Sequence, residues 1–517
     1  MQGFTAGSVR VKRFLVTVSI LFAFVCAPFV SANTTSAEES GTSIDGASDP
    51  TQFGPDREAL TRKYLKEIRN RLDSRIRQAN SKHLWQDGKW RTALRNQLIE
   101  ISMWGVFQDA TAWILGEVGD KTWVRKTLFF AMPFFEWMTE PFVLAVNTDA
   151  PPGKPGAETE RIARFIAAGS KAGMTVSMDN VGDAALSEED AQRYLDFYVQ
   201  LMKQLADRPE IREINFSIKL SALVYQLNKI ANVRELGHDL PEQAKEKIDE
   251  IRDRLITLLT AADAVKGKKT FIRLDMEEYA YRDGTLALFR EIVDQNPSLV
   301  RNENGSLRLG VVIQAYLRDS WKQLDELKYW GAARQVRIPV RLVKGAYEKY
   351  EKQLARQNGA ASPVWNAKQS TDASFEGLSE FLLLNMDSFQ PAFATHNIRS
   401  IAHVMALGQF YGIGKDGLEF QMLYGMGDEI KEVVAELGCP LRIYVPTGTC
   451  ARGLKYAGRR FAELASRDSA LSKSLRGEYI HLEGPAPGFI DPQDRKDGEN
   501  VDSLVSEARD AWYVGVE

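Results

Sequence analysis

Ile338-Pro339-Val340-Arg341-Leu342-Val343 is a short β-rich run that passes directly into Lys344-Gly345-Ala346-Tyr347. An apolar run of this length, closed by turn-forming and charged residues, reads as a strand buried on both faces. The same pattern recurs along the chain at 173–178 (GMTVSM), 214–219 (INFSIK), 270–275 (TFIRLD), 309–314 (LGVVIQ), 391–395 (PAFAT), 418–421 (LEFQ) and 441–445 (LRIYV). Longer amphipathic stretches such as 187–206 and 241–263 separate the runs. Eight strands alternating with helices predict an α/β chain closed into a (β/α)8 barrel. The count rests on two short runs, 391–395 and 418–421, so a doubly wound open sheet is the alternative.

A barrel of this kind carries its active site at the C-terminal ends of its strands. Here those ends hold Asp179, Lys219, Asp275, Gln314, Arg341, Lys344, Thr395, Gln421 and Tyr444, which suggests one polar pocket. No GxGxxG follows a first strand and no GxxxxGK[ST] is present, so a phosphate-bearing ligand would be held by other means. Gly345 would let the backbone approach a ligand. The helix start after Thr395 would offer free N–H groups to a pyrophosphate, with His396 and Asn397 adding hydrogen bonds. On the helix expected after Tyr444, Arg459 and Arg460 stand side by side and Glu463 follows. Two adjacent guanidiniums can clamp a small carboxylate, and Glu463 can orient one of them.

The remaining sequence bounds the class. The chain has 517 residues, with 66 basic and 69 acidic side chains and a formal charge of -3, which argues against nucleic-acid binding through bulk charge. Three cysteines (Cys26, Cys439, Cys450) and five histidines form no zinc spacing and no disulfide framework. Arg10, Lys12 and Arg13 precede an uncharged run, Phe14 to Ala32, that reads as a signal peptide or a membrane anchor. Residues 33–54 are polar and read as a linker. Residues 55–154 read as a helical arm, charged up to about 100 and then rich in Trp and Phe through 146; that aromatic part is either packed on the main domain or interfacial. The barrel is expected over 155–475 and a C-terminal tail over 476–517.

Taken in order, Ile218-Lys219-Leu-Ser-Ala-Leu223, Asp275-Met276-Glu-Glu278, Ile313-Gln314-Ala-Tyr316, Arg341-Leu-Val343-Lys344-Gly345-Ala346-Tyr347, Ala394-Thr395-His396-Asn397, Glu419-Phe-Gln421-Met-Leu423 and Arg442-Ile-Tyr444-Val-Pro446 closely resemble the proline dehydrogenase family. The resemblance covers roughly 155–470. It implies a distorted (β/α)8 barrel that holds FAD without a covalent bond and oxidises L-proline. A hydride would pass from proline C5 to flavin N5, giving Δ1-pyrroline-5-carboxylate, with quinone as electron acceptor. It implies that Arg459, Arg460 and Lys219 bind the substrate carboxylate, and that Leu423 and Tyr444 wall the substrate ring. Asp275 would keep the pocket polar beside Tyr444. Arg341 would place a cation near the flavin N5 edge, so that Arg341, Asp275, Lys219 and Tyr444 form the catalytic set. Met276, Gln314, Val343, Lys344, Gly345, Ala346, Tyr347, Thr395, His396, Asn397, Gln421 and Glu463 join Asp275 and Arg341 as cofactor contacts, with Lys368 and Thr371 near the adenosine half. A quinone acceptor implies association with a membrane surface, either the bacterial or the mitochondrial inner membrane.

Several positions depart from the family pattern. Glu348 follows Gly-Ala-Tyr where many bifunctional relatives have an aromatic residue, Asn366-Ala367 replaces a Thr-Arg pair, and Tyr424 stands where relatives often have His. No aldehyde dehydrogenase module is visible, so a separate pyrroline-5-carboxylate dehydrogenase is expected as a partner. Hydroxyproline oxidation is a competing reading, opposed by the bulk of Tyr444. A non-catalytic FAD- or proline-binding protein is another.

Overall fold

The computed structural model describes residues 55–81, 143–145, 157–182, 184–237, 239–302, 306–448, 456 and 487–516. In chain order the main elements are α1 (Pro55–Ser81), β1 (Leu144–Ala145), α2 (Ala157–Lys171), β2 (Met174–Asn180), α3 (Glu188–Ala206), β3 (Glu213–Lys219), α4 (Glu242–Ala264), β4 (Lys269–Asp275), α5 (Tyr279–Gln295) and β5 (Leu309–Gln314). There follow α6 (Ser320–Ala333), β6 (Ile338–Val343), α7 (Glu348–Gln357), α8 (Lys368–Leu384), β7 (Phe389–Ala394), α9 (Ile398–Phe410), β8 (Glu419–Leu423), α10 (Asp428–Glu436), β9 (Leu441–Gly448) and α11 (Pro492–Val516).

Strands β2 to β9 are all parallel, each paired with the next, and β9 returns to pair with β2. The sheet is therefore a closed eight-stranded barrel, and the open-sheet alternative is excluded. The register sets the strand ends level with one another: Lys219 lies opposite Asp275, Gln314 opposite Val343, Val343 opposite Ala394, Ala394 opposite Gln421, and Leu423 opposite Tyr444. Sequence patterning missed β1, whose Leu144 and Ala145 pair with Thr447 and Gly448; two residues are too few to show a period.

The helices form for local reasons. Ser187 caps α3 by accepting a hydrogen bond from the Asp190 N–H at 3.2 Å, and Glu188, Glu189 and Asp190 place negative charge in its first turn. Ala191, Tyr194, Leu195, Tyr198, Leu201, Met202 and Leu205 then form a buried stripe at helical spacing. Polar groups line the barrel interior. Arg273, Arg341, Gln421 and Arg442 are all buried, Glu419 is partly so, and Ser177 and Ser217 are fully buried. Arg442 donates to Glu419 (3.0 Å) and Glu213 (3.2 Å), and Gln421 donates to Glu419 at 2.6 Å. Arg442 holds the Glu419 carboxyl down to about 2 against the upward push of burial.

Helix α1 lies on α9 and α10, and α11 lies on α8 and α6. Both outer helices reach Glu380 of α8. Its buried carboxylate accepts from Arg57 of α1, from Arg509 of α11 (Nε, 2.6 Å) and from the Tyr411 hydroxyl. Arg399 of α9 adds a bidentate bond to Glu58 at 3.1 Å and a second carboxylate, Glu376, at 3.2 Å. Helix α1 is described over Pro55–Ser81, and part of the segment expected as a tail is the packed helix α11. The signal or anchor run, the linker and most of the aromatic stretch at 101–146 lie outside the described residues. Among the described residues no helix is long and apolar enough to cross a membrane.

Candidate active site

The C-terminal ends of the strands enclose a cavity of about 1300 Å³. Ligand pockets run to roughly 300–1,000 Å³, so this cleft exceeds the needs of a small amino acid alone. Its floor is a hydrogen-bonded chain of charged and polar groups drawn from six strands. Arg341 on β6 donates to Asp275 Oδ1 (2.7 Å), to Ser217 Oγ (2.8 Å) and to Gln421 Oε1 (2.5 Å). Its guanidinium lies 5.3 Å from the centre of the Tyr444 ring. The Tyr444 hydroxyl reaches Asp179 Oδ2 at 2.6 Å and Asp275 Oδ2 at 3.0 Å. Lys219 Nζ donates to Asp179 Oδ2 at 2.6 Å.

Burial and the two flanking carboxylates push the Tyr444 phenol well above its usual range, so it is a proton donor at any physiological pH. Burial alone would lower the Lys219 ammonium, but Asp179 and Asp275 outweigh it and hold the group charged. The two cations, Lys219 and Arg341, therefore face two anions, Asp179 and Asp275. With the floor neutral in sum, further positive charge is needed to hold a carboxylate there. Asp179 was legible as a polar strand end, but its role in tying Lys219 to Tyr444 was not. Ser217 gave only the signal of alternation, two residues before Lys219.

Along the β4 side, Glu277 is buried, accepts the Ser221 N–H at 3.0 Å and is hydrogen-bonded to the Ser221 hydroxyl. Burial pushes its carboxyl up to about 7. Gln314 donates to the Glu277 backbone carbonyl at 3.1 Å, while its own buried Oε1 has no partner among the described residues. An orphaned acceptor on a cavity wall costs free energy unless a ligand donor meets it.

Met276, Val343, Lys344, Gly345, Ala346, Tyr347, Lys368, Thr395, His396, Asn397, Gln421 and Leu423 also line the cavity. Lys344 bonds to Asp372 and to Ser400 Oγ (3.1 Å), and Lys368 reaches the same Asp372 at 2.7 Å. Two lysines thus share one carboxylate, leaving a net positive wall. Burial lowers the Lys344 ammonium, and Asp372 opposes that shift.

Gly345 is required by packing: at φ 123° a Cβ would lie 2.4 Å from the Tyr316 ring, which excludes any side chain before a ligand is considered. Asn397 caps its own helix, its side chain accepting the Ser400 N–H at 3.1 Å, so that oxygen is already engaged. His396 Nε2 accepts the Leu423 N–H at 3.2 Å and so braces the end of β8. Thr371 is buried in α8 and is not among the cavity-lining residues. Of the departures, Glu348 lines the cavity and pairs with Lys352 at 2.6 Å, while Tyr424 packs edge-on against Phe165. Arg459, Arg460 and Glu463 lie outside the described residues; Tyr456, on the same segment, lines the cavity.

Comparison with known proteins agrees with this geometry. Residues 163–473 match the family model described as proline dehydrogenase. The bifunctional protein PutA of Escherichia coli is 32% identical over 373 residues, which cover 70% of this chain and 25% of that protein. Proline dehydrogenase 1 of Bacillus subtilis is 26% identical over 306 residues, covering 59% of this chain and 83% of that protein. Among solved structures, PutA of Bdellovibrio bacteriovorus, inactivated by N-propargylglycine, superposes with a TM-score of 0.66 at 27% identity, over 87% of this chain and 44% of that one. The chain thus spans about a quarter of the length of the bifunctional relative from Escherichia coli. On the family match and the barrel together, the chain belongs to the proline dehydrogenase family.

Proposed function

We propose that the chain oxidises L-proline to Δ1-pyrroline-5-carboxylate, using FAD bound in the cavity and quinone as the final electron acceptor. The observation that carries the reading is the floor that joins Lys219, Asp179, Tyr444, Asp275 and Arg341 in the cavity that the orphaned oxygen of Gln314 also lines. The residues present fit a flavin dinucleotide: Gln314 offers an unused acceptor, Arg341 a fixed cation, and Lys344 and Lys368 a positive wall for phosphates. When bound, FAD supplies the two-electron oxidising power, and the protein supplies binding, orientation and electrostatics.

Each floor residue then has a task. Arg341 is immobilised by three partners, so its charge needs no reorganisation when negative charge develops beside it. Tyr444 and Leu423, opposite one another on β9 and β8, form a wall for the proline ring. Lys219 keeps two hydrogen-bond donors beyond the one given to Asp179 and turns them toward the substrate carboxylate. Because the floor is neutral in sum, Arg459 and Arg460 complete the carboxylate clamp. The product would pass to a separate pyrroline-5-carboxylate dehydrogenase, and quinone reduction would draw the protein to a membrane surface.

The visible spectrum of the purified protein, before and after anaerobic L-proline, tests this. Flavin bands that bleach with L-proline and not with trans-4-hydroxyproline are expected. Bands indifferent to proline would overturn the substrate, and a folded protein that takes up no flavin would overturn the cofactor.

A further inference from the structure

Helix α8 begins at the cavity wall, where its first residue, Lys368, is one of the lining side chains. The residue before it, Ala367, occupies the cap position and has no side chain able to accept a hydrogen bond. The chain entering α8 is instead held from the far end of the sequence. Asp494, in the first turn of α11, has a side chain with no exposure to solvent. Its Oδ1 accepts the Asn366 N–H at 3.0 Å, and its Oδ2 accepts the Ala367 N–H at 2.9 Å and the Ser370 hydroxyl at 2.8 Å. Arg318 neutralises it at 2.6 Å, while also bonding to Asp497 (2.7 Å) and to the Val364 carbonyl (3.1 Å). The same Arg318 lies over the Trp365 ring, and Trp365 in turn packs on Phe489, just before α11. The Asn366 and Ala367 N–H groups and the Ser370 hydroxyl are thus held from α11.

We propose that Asp494 is a positioning residue for the dinucleotide: by anchoring the start of α8 from α11 it sets Lys368, and through Asp372 also Lys344, at the cavity wall, so that docking of α11 and retention of FAD are coupled. This rests on the FAD reading above. A carboxylate that bonds two backbone N–H groups, a hydroxyl and a guanidinium fixes the first turn of α8 in both direction and rotation. Lys368 lies in that turn, and the carboxylate it shares with Lys344, Asp372, lies one turn further along. Coupling of this kind is reciprocal: a cofactor held by those lysines must also hold α11 more tightly.

The test uses the full chain freed of flavin, titrated with FAD and separately with FMN, which lacks the adenosine half. For Asp494→Asn, FAD affinity should fall on the order of ten-fold, the equivalent of one lost charge-assisted hydrogen bond, while FMN affinity holds. Ser370→Ala should move the ratio in the same direction by less. Hydrogen exchange supplies a second readout: FAD should protect the backbone amides of 366–372 and 494–498 in the parent chain and protect them less in Asp494→Asn. An unchanged FAD:FMN ratio, or an equal loss for both flavins, would reduce Asp494 to a fold stabiliser and overturn the proposal. If Asp494→Asn does not fold, the Ser370→Ala ratio decides alone. A parent chain that binds neither flavin overturns the FAD reading instead.

Discussion

Glu277 allows a pH dependence to be worked out in advance. Burial raises its folded pKa to about 7 from an ordinary 4.5. The unfolded chain therefore ionises this carboxyl first, and stability present below pH 4.5 is lost as the pH climbs toward 7, after which the loss is constant. At 1.36 kcal/mol per pKa unit, the loss is about 0.4 kcal/mol at pH 4.5, about 2 kcal/mol at pH 6 and about 3 kcal/mol above pH 7. Glu277→Gln removes the ionisation and keeps the shape. Its Oε1 can still accept the Ser221 N–H and its Nε2 can donate to the Ser221 hydroxyl, the two bonds that Glu277 makes. Urea denaturation of both proteins across pH 4.5 to 8 isolates this group, because every other titration cancels in the difference. The variant should gain on the parent as pH rises, by about 3 kcal/mol in total, with most of the gain between pH 5 and 7. A gap independent of pH, or one that narrows as pH rises, would show that Glu277 is not held neutral by burial.

Other substitutions test the rest of the framework. Arg341→Met leaves Asp275 without its cation in the barrel and should cost about 3–5 kcal/mol in denaturant melts; proline turnover should also be lost even where the protein is kept folded at low temperature. Gly345→Ala forces a Cβ into the Tyr316 ring at a positive φ, so flavin content on purification should drop steeply and stability should fall by more than ~1–3 kcal/mol; parental flavin content and stability would contradict the packing requirement. Glu380→Ala strands Arg57 and Arg509 at the site where α1 and α11 meet, and should lower stability by about 3–5 kcal/mol, with early proteolysis at both outer helices.

Much of the barrel was legible because its strands are short apolar runs with clear stops. The runs read at 309–314 and 338–343 coincide with β5 and β6, and the others differ by a few residues at their ends. The two runs on which the count rested, 391–395 and 418–421, are strands as well, β7 and β8. Polar strand ends were visible for the same reason, since a charge that closes an apolar run stands out. Their partners were not visible. Asp179 meets Lys219 across 40 residues, Arg341 meets Ser217 across 124, and Asp494 meets Ala367 across 127, and no local pattern marks such pairs. At Gly345 a sequence shows that a side chain is missing and not what fills the space, which here includes the Tyr316 ring. Asn397 follows the commonest rule for its residue type, a helix cap, while also lining the cavity.

The meeting of α1 and α11 at Glu380 bears on how such a barrel is reused. Arg57 and Arg509 stand 452 positions apart in sequence and touch the same carboxylate. The first and last described helices therefore leave the barrel on one side, next to each other. A module whose entry and exit are neighbours can be spliced into a longer polypeptide without straining either junction, because the host chain need only open a small gap to admit it. The short span between these helices makes fusion to further domains mechanically easy, and it means that a change in tension on either flanking segment would be felt at a single buried carboxylate.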